Sequence, residues 1–138
     1  VTRIQVRREM PVPGPVVMGT EFKLQQVFLN LFLNARDAMP KGGWLSITTR
    51  TAGSTGIVEV GDTGGGIPAE HLARIYDPFF TTKTIGQGTG LGLSITYGIV
   101  QEHDGTIACE SEVGVGTRFT LSFPEATAAA APRSGRVV

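Results

Sequence analysis

The spacing of apolar positions changes several times along the chain, and each change marks an element. From Thr2 to Arg8, Ile4 and Val6 alternate with Arg3, Gln5 and Arg7, the period of a half-buried strand. Pro11, Pro13, Gly14 and Pro15 end it. A long apolar segment then runs to Met39, with Thr20 placed as N-cap before Glu21 and Pro40-Lys41-Gly42-Gly43 as the stop. It is apolar nearly all round, which predicts a buried helix. Trp44 to Arg50 and Ile57 to Gly61 read as a hairpin turning between Thr51 and Gly56. Asp62 to Gly90 is rich in glycine, proline and threonine. Leu91 to His103 forms a second apolar helix, with Gly105 as the glycine beyond its end. Thr106 to Glu110 and Thr117 to Phe123 are strands around the Gly114-Val115-Gly116 turn. The order strand, helix, hairpin, loop, helix, hairpin predicts an α/β fold: a two-layer sandwich with helices on one face of a mixed sheet. One domain is expected over residues 1–124. Residues 125–138 carry no large apolar side chain before Val137, and a flexible tail or linker is expected there.

Composition narrows the class without naming it. Apolar residues make up 41% and charged residues 17%, with twelve basic side chains balancing twelve acidic ones. A neutral chain of this kind gives no electrostatic reason to expect nucleic acid or membrane as partner. Cys109 has no second cysteine to pair with, and no apolar run approaches the ~20 residues of a membrane span. A cytoplasmic location is expected. The start at Val1, without an initiator methionine, is expected of a piece of something longer, in which any sensor or membrane segment lies upstream. Nineteen glycines exceed the roughly ten that average usage predicts, so the backbone turns tightly or approaches a ligand closely at several points.

Three clusters carry candidate chemistry. On the first helix Gln26, Asn30, Asn34 and Asp37 fall on one face, and buried amides need partners. They either bond to neighbouring loops or line a polar cleft where an amide oxygen meets a hard cation such as Mg²⁺. The second cluster, Gly61-Asp62-Thr63-Gly64-Gly65-Gly66-Ile67-Pro68, sets an acid after a strand and before three glycines. Such an aspartate can accept from an exocyclic amine while the glycines close over a flat ring; a plain turn and a calcium loop compete, the latter short of alternating carboxylates. The third, Gly86-Gln87-Gly88-Thr89-Gly90-Leu91-Gly92-Leu93-Ser94, places free amides at a helix start, an anion site best suited to phosphates. A dinucleotide fingerprint would need a preceding strand, and a Walker loop would need Gly-Lys-Ser/Thr.

In this order the clusters resemble the catalytic domain of sensor histidine kinases, in the superfamily that also holds gyrase, the MutL repair proteins and the large heat-shock chaperones. Asn30 to Asn34 stands at the N box, Asp62 to Gly66 at the G1 box, Tyr76 to Lys83 at the F box, Gly86 to Leu93 at the G2 box, and Gly116-Thr117 at the last. The likeness covers about Val1 to Pro124 and looks closest to nitrogen-regulation and oxygen-sensing kinases. It implies a Bergerat-type ATP-binding fold, with a mostly antiparallel mixed sheet and a left-handed crossover against the ~98% rule. It implies ATP and Mg²⁺ as cofactors. Asn34 would hold the metal, with Asn30 and Asp37 beside the phosphates and Asp62 reading the adenine amine. Thr117 would support Asp62, while Gly64, Gly66 and Ile67 shape the pocket. Lys83 would reach the phosphates or remain a solvated charge. Gly88, Thr89, Gly90, Leu91 and Gly92 would form the phosphate loop of a lid that Phe79 and Phe80 anchor.

The same likeness implies transfer of the γ-phosphoryl group to a histidine on a separate dimerisation domain, with a response regulator as indirect partner and a monomer when isolated. Hydrolysing members of the superfamily carry a glutamate base one turn before the metal asparagine. Here that position is Asn30, whose amide takes no proton at neutral pH. The two histidines, His71 and His103, lack a phosphoacceptor setting and are expected to be structural, His103 as a cation at a helix end. Trp44 and Cys109 are expected to be packing residues.

Overall fold

The computed structural model describes residues 3–80, 91–126 and 136–137. Its elements are β1 (Ile4–Glu9), β2 (Met18–Gly19), α1 (Glu21–Ala38), β3 (Gly43–Ala52), β4 (Thr55–Asp62), α2 (Ala69–Leu72), α3 (Gly92–Glu102), β5 (Thr106–Glu112), β6 (Gly116–Pro124) and β7 (Arg136–Val137). Five strands form one sheet in the order β1-β3-β4-β6-β5. Only the β1–β3 pair is parallel, because the chain crosses between them through α1, whereas β3–β4 and β5–β6 are hairpins. The β4–β6 pair is also antiparallel and brings the two hairpins together. The expected sandwich is therefore present, a mixed and mostly antiparallel sheet with α1 and α3 packed together on one face.

The core shows which side of each element the sequence folds inward. Leu24, Val27, Leu31, Ala35 and Met39 of the first helical segment meet Leu45, Val60, Phe119, Leu121 and Phe123 from the sheet, and Ile99 and Val100 from α3. Val27, Val100 and Leu121 are completely buried. Fully burying one such aliphatic side chain stabilises the fold by about 1.5–3 kcal/mol before entropy is counted.

Several boundaries and exposures differ from expectation. α1 is not buried all round: Phe22 is 77% and Leu29 51% exposed, since a helix lying on a sheet and one neighbouring helix has a third side left open. β1 is an edge strand with Val6 more than half exposed, and Trp44 is 46% exposed with the Arg7 guanidinium 6.0 Å from its ring centre. The β3–β4 turn is tighter than expected, closing on Gly53 and Ser54 alone. The residue with left-handed backbone after α3 is Asp104 (φ 56°), not Gly105. Gly105 instead returns its N–H to the Val100 carbonyl at 2.9 Å, and a side chain there would strike the Ser122 carbonyl and the Phe123 ring. In the stretch expected to be a tail, Glu125 bridges to Val17, and the backbone of Arg136–Val137 pairs with Met18–Gly19.

The helix ends also use partners that the sequence did not indicate. Thr20 has the extended backbone of an N-cap, but its side chain makes no capping bond. Its backbone N–H instead donates to His103 Nε2 at 3.0 Å. The other ring nitrogen lies 2.7 Å from the Ile99 carbonyl. A backbone N–H can only donate and a carbonyl can only accept, so His103 is the neutral tautomer with its proton on Nδ1. That corrects the expected cation: the ring joins the end of α3 to the start of α1 by its lone pair.

Candidate functional site

The residues of the second cluster meet across three strands. Asp62, the last residue of β4, is the direct cross-strand partner of Thr117 on β6, and Thr117 is the direct partner of Ser111 on β5. Paired residues share a face, so the three side chains form a transverse row on the side of the sheet that carries Leu45, Val60 and Phe119. The Gly64 N–H donates to Asp62 Oδ1 at 2.8 Å, and the Thr117 backbone N–H also bonds the carboxyl group. Burial pushes the Asp62 carboxyl above its ordinary range, and those two backbone bonds oppose the shift without cancelling it.

The glycine loop after Asp62 is clamped on both sides. The Gly65 N–H bonds the Ala38 carbonyl at the end of α1 at 3.2 Å, and the Gly114 N–H from the β5–β6 turn bonds the Gly65 carbonyl at 3.0 Å. Gly66 has φ 80°, and a Cβ there would run into the Glu112 carbonyl; at Gly64 the obstacle would be the Ala38 carbonyl. Only glycine combines that backbone with so close an approach. The next residue, Ile67, donates its N–H to Ser111 Oγ at 2.6 Å.

The amide stripe divides in two. Asn30 Oδ1 accepts from Gln26 Nε2 at 3.1 Å, and Asn30 Nδ2 donates to the Gly92 carbonyl at 3.1 Å and to Thr96 Oγ1 at 3.2 Å. Of the two readings left open, this half takes neither purely: Asn30 is committed to α3, at the junction that bears Leu91 and Gly92. The other half, Asn34 and Asp37, continues along the same helix face toward the glycine loop. Arg36 pairs with Asp37 Oδ1 at 3.1 Å. Among the described residues no group of three or more histidine, cysteine, aspartate or glutamate side chains gathers to hold a metal. Asn34 and Asp37 offer one or two hard oxygens, a donor set that suits a cation keeping its waters and phosphate ligands rather than one caged by protein.

Leu91 is the N-cap of α3 and Gly92 its first helical residue, and the Leu91 side chain makes no capping bond there. Lys83, Gly88, Thr89 and Gly90 lie outside the described residues. Of the two phenylalanines expected to anchor a lid, Phe80 does pack, edge-on to His71 at 5.5 Å and under Arg74 at 4.6 Å. Phe79 does not: it is 71% exposed, turned outward by a left-handed backbone (φ 67°). Cys109 lies partly buried against the core, where desolvation raises its thiol to about 11, as expected of a packing residue.

A groove of about 870 Å³ on the helix-free face, lined by Trp44, Ser46 and Arg118 among others, touches only Asp62 and Thr117 of the predicted residues. It opens away from the amide stripe, which lies on the helix side of the sheet with the glycine loop. Sequence reading missed Ser111 and Thr96. The alternation of β5 put Ser111 on the inner face opposite Thr117, which was the available signal.

An acid at a strand end, a glycine loop locked against it, and an amide stripe reaching the start of a second helix define an α/β sandwich of the nucleotide-binding kind. The family described as "Histidine kinase-, DNA gyrase B-, and HSP90-like ATPase" matches residues 19–127, and the chain belongs to it. Sensor kinase CckA of Brucella abortus is 46% identical over 117 residues, covering 74% of this chain and 12% of the relative. Sporulation kinase C of Bacillus subtilis is 44% identical over 111 residues, covering 80% and 26%. The chain thus spans between about a tenth and a quarter of these curated relatives. Among solved structures, the catalytic domain of histidine kinase ThkA superposes with a TM-score of 0.78 at 36% identity, covering 88% of this chain and 79% of that one. Full-length ShkA in complex with AMPPNP superposes at 0.75 with 31% identity, covering 92% and 27%. No helix among the described residues is long and apolar enough to cross a membrane.

Proposed function

We propose that this chain binds Mg·ATP and acts as the catalytic domain of a cytoplasmic sensor histidine kinase, passing the γ-phosphoryl group to a histidine on a separate phosphoacceptor domain. The observation that carries the reading is the Asp62–Thr117 pair at the mouth of a glycine loop, on the same side of the sheet as the amide stripe. Asp62, fixed by two backbone N–H groups, accepts from the exocyclic amine of adenine. Gly64, Gly66 and Ile67 form the wall against the ring. Leu91 and Gly92, with Gly88, Thr89 and Gly90, offer backbone amides and a helix start to the phosphates.

Asn34 would hold Mg²⁺, assisted by Asp37. The cation supplies charge neutralisation on the β- and γ-phosphates. Asn30 holds α1 against α3 and has no basicity with which to activate water. Lys83, outside the described residues, would add a cation near the transferred group. The acceptor imidazole nitrogen forms a bond to the γ-phosphorus as the bond to the β–γ bridging oxygen breaks, leaving ADP and a phosphohistidine. This domain contributes positioning and electrostatics, and the nucleophile comes from outside. A response regulator would receive the phosphoryl group afterwards, and the isolated domain would be a monomer.

Calorimetric titration with ATP, ADP and GTP, each with and without Mg²⁺, tests the nucleotide half. Adenine-selective binding is expected, and absence of any binding would overturn the reading. Mixing with a phosphoacceptor domain and ATP then tests transfer, which is expected to give an acid-labile, base-stable phosphoprotein.

A further inference from the structure

Ser111 makes three polar contacts on the inner face of β5, and none of the chemistry above uses it. Its Oγ accepts from the Ile67 N–H at 2.6 Å, lies 3.0 Å from the Gly116 carbonyl, and lies 2.8 Å from Thr117 Oγ1. A serine hydroxyl has one proton and two lone pairs. The Ile67 N–H can only donate, so it takes one lone pair. The Gly116 carbonyl can only accept, so it can be satisfied by Ser111 only if it receives the single proton. The one assignment that fills all three contacts then requires Thr117 to donate its own hydroxyl proton to the remaining lone pair of Ser111. The alternative, with Ser111 donating to Thr117, leaves the Gly116 carbonyl without this bond in a place where Thr117 is only 7% exposed.

We infer that Ser111 is a specificity-determining positioning residue: it draws the Thr117 hydroxyl proton inward, so that Thr117 and Asp62 together present only acceptors to the base. Because Thr117 is the cross-strand neighbour of Asp62, the polarity of one hydroxyl alters the character of the whole edge. An all-acceptor edge favours a base with an amine at the purine 6-position and disfavours one with a carbonyl oxygen there. The discrimination is of the kind in which a wrong partner leaves buried polar atoms unmatched. Without Ser111, the Thr117 hydroxyl rotates and can donate to that carbonyl. The inference rests on the adenine reading of this site.

ATP and ITP test it, since ITP carries a carbonyl in place of the 6-amine, with a proton on the adjacent N1, and the two are otherwise alike. The experiment is calorimetric titration of both nucleotides, in Mg²⁺, into the full chain and its variants. The wild type is expected to prefer ATP. Ser111→Ala is expected to lower the ATP/ITP affinity ratio by about tenfold, mostly through improved ITP binding, while Ser111→Thr, which keeps the hydroxyl, restores it. In a Thr117→Val background Ser111→Ala is expected to leave the ratio where Thr117→Val put it, because the two residues act in series. A Ser111→Ala protein that loses both nucleotides equally, or keeps the wild-type ratio, would overturn the inference. If Ser111→Ala fails to fold, Ser111→Cys, with a weak donor of similar size, must also lower the ratio for the inference to stand. A wild type that binds both nucleotides without preference removes the inference but spares nucleotide binding, whereas binding of neither removes both.

Discussion

Asn30 in the middle of α1 donates its carboxamide to the carbonyl of Gly92, the first residue of α3, at 3.1 Å, across 62 residues of sequence. The second donation from the same nitrogen, to Thr96 Oγ1, reaches one turn further along α3 into a fully buried position. The start of α3 is therefore fixed by α1, and any ligand that uses the amides there depends on this contact.

Asn30→Asp replaces the amide by an isosteric group that cannot donate when ionised and sets a negative charge against the Gly92 carbonyl. Leaving such a partner unpaired costs about 1–3 kcal/mol. Thermal melting of the ligand-free variant is expected to shift down by roughly 4–15 °C. An unchanged melting temperature would show that the amide bonds contribute nothing net.

Asp62 carries an opposite relation between stability and binding. Its carboxyl is raised from the ordinary 3.8 by burial, so the folded chain holds this proton more firmly than the unfolded one. Its contribution to stability is then fully present below the unfolded pKa and is lost as pH rises through the folded value. At neutral pH the ionised group is a cost, and Asp62→Asn, whose oxygen can still accept from Gly64, is expected to melt no lower than the wild type. ATP affinity is expected to fall at least tenfold in the same variant, since an amide nitrogen can face the adenine amine. Wild-type affinity should likewise fall as pH is lowered through the raised value. A variant that melts lower yet binds ATP normally would contradict both halves of the argument.

How far the sequence carried these conclusions differs by element. The sandwich, both main helices and the two hairpins followed from apolar period and turn residues, because those signals are local. The Asp62 to Gly66 loop was legible too, since only glycine tolerates the approach of the Glu112 and Ala38 carbonyls. What could not be read was pairing at a distance. Asn30 and Thr96 lie 66 residues apart, so no periodicity shows that an amide on one helix is spent on a hydroxyl of another. The exposed side of α1 was hidden for a related reason: Phe22 and Leu29 have the same hydropathy as the buried leucines, and only the position of α3 decides which side is covered. His103 was misassigned as a cation because its partner, the Thr20 N–H, comes from the other helix.

That His103 contact makes its own prediction. The ring satisfies a backbone donor at the start of α1 and bonds the Ile99 carbonyl. His103→Ala loses both bonds and leaves a void beside Gly19, and a cost of about 1–3 kcal/mol in urea unfolding is expected. The ring sits past the far end of an 11-residue helix, about 16 Å from Gly92 at 1.5 Å per residue. Nucleotide affinity is therefore expected to stay within about twofold of wild type, given that distant sites act independently. A large loss of affinity without a loss of stability would mean that α3 transmits the change along its length.

Asn34 is the test of the metal half of the site. An amide oxygen is a neutral hard donor, and Mg²⁺ takes few protein ligands when phosphates and water complete its shell. Removing that oxygen by Asn34→Ala should matter only when the cation is present. ATP affinity measured in Mg²⁺ is expected to drop by about tenfold or more, while affinity in EDTA changes little. Asp62→Asn should show the reverse pattern, weakening ATP to a similar degree in both buffers, because the base edge lies away from the phosphates. Comparing the two variants in the two buffers separates the contributions, whatever the absolute affinity. If Asn34→Ala weakened ATP equally with and without Mg²⁺, the residue would be shaping the pocket rather than holding the cation, and Asp37 would become the candidate ligand to replace next.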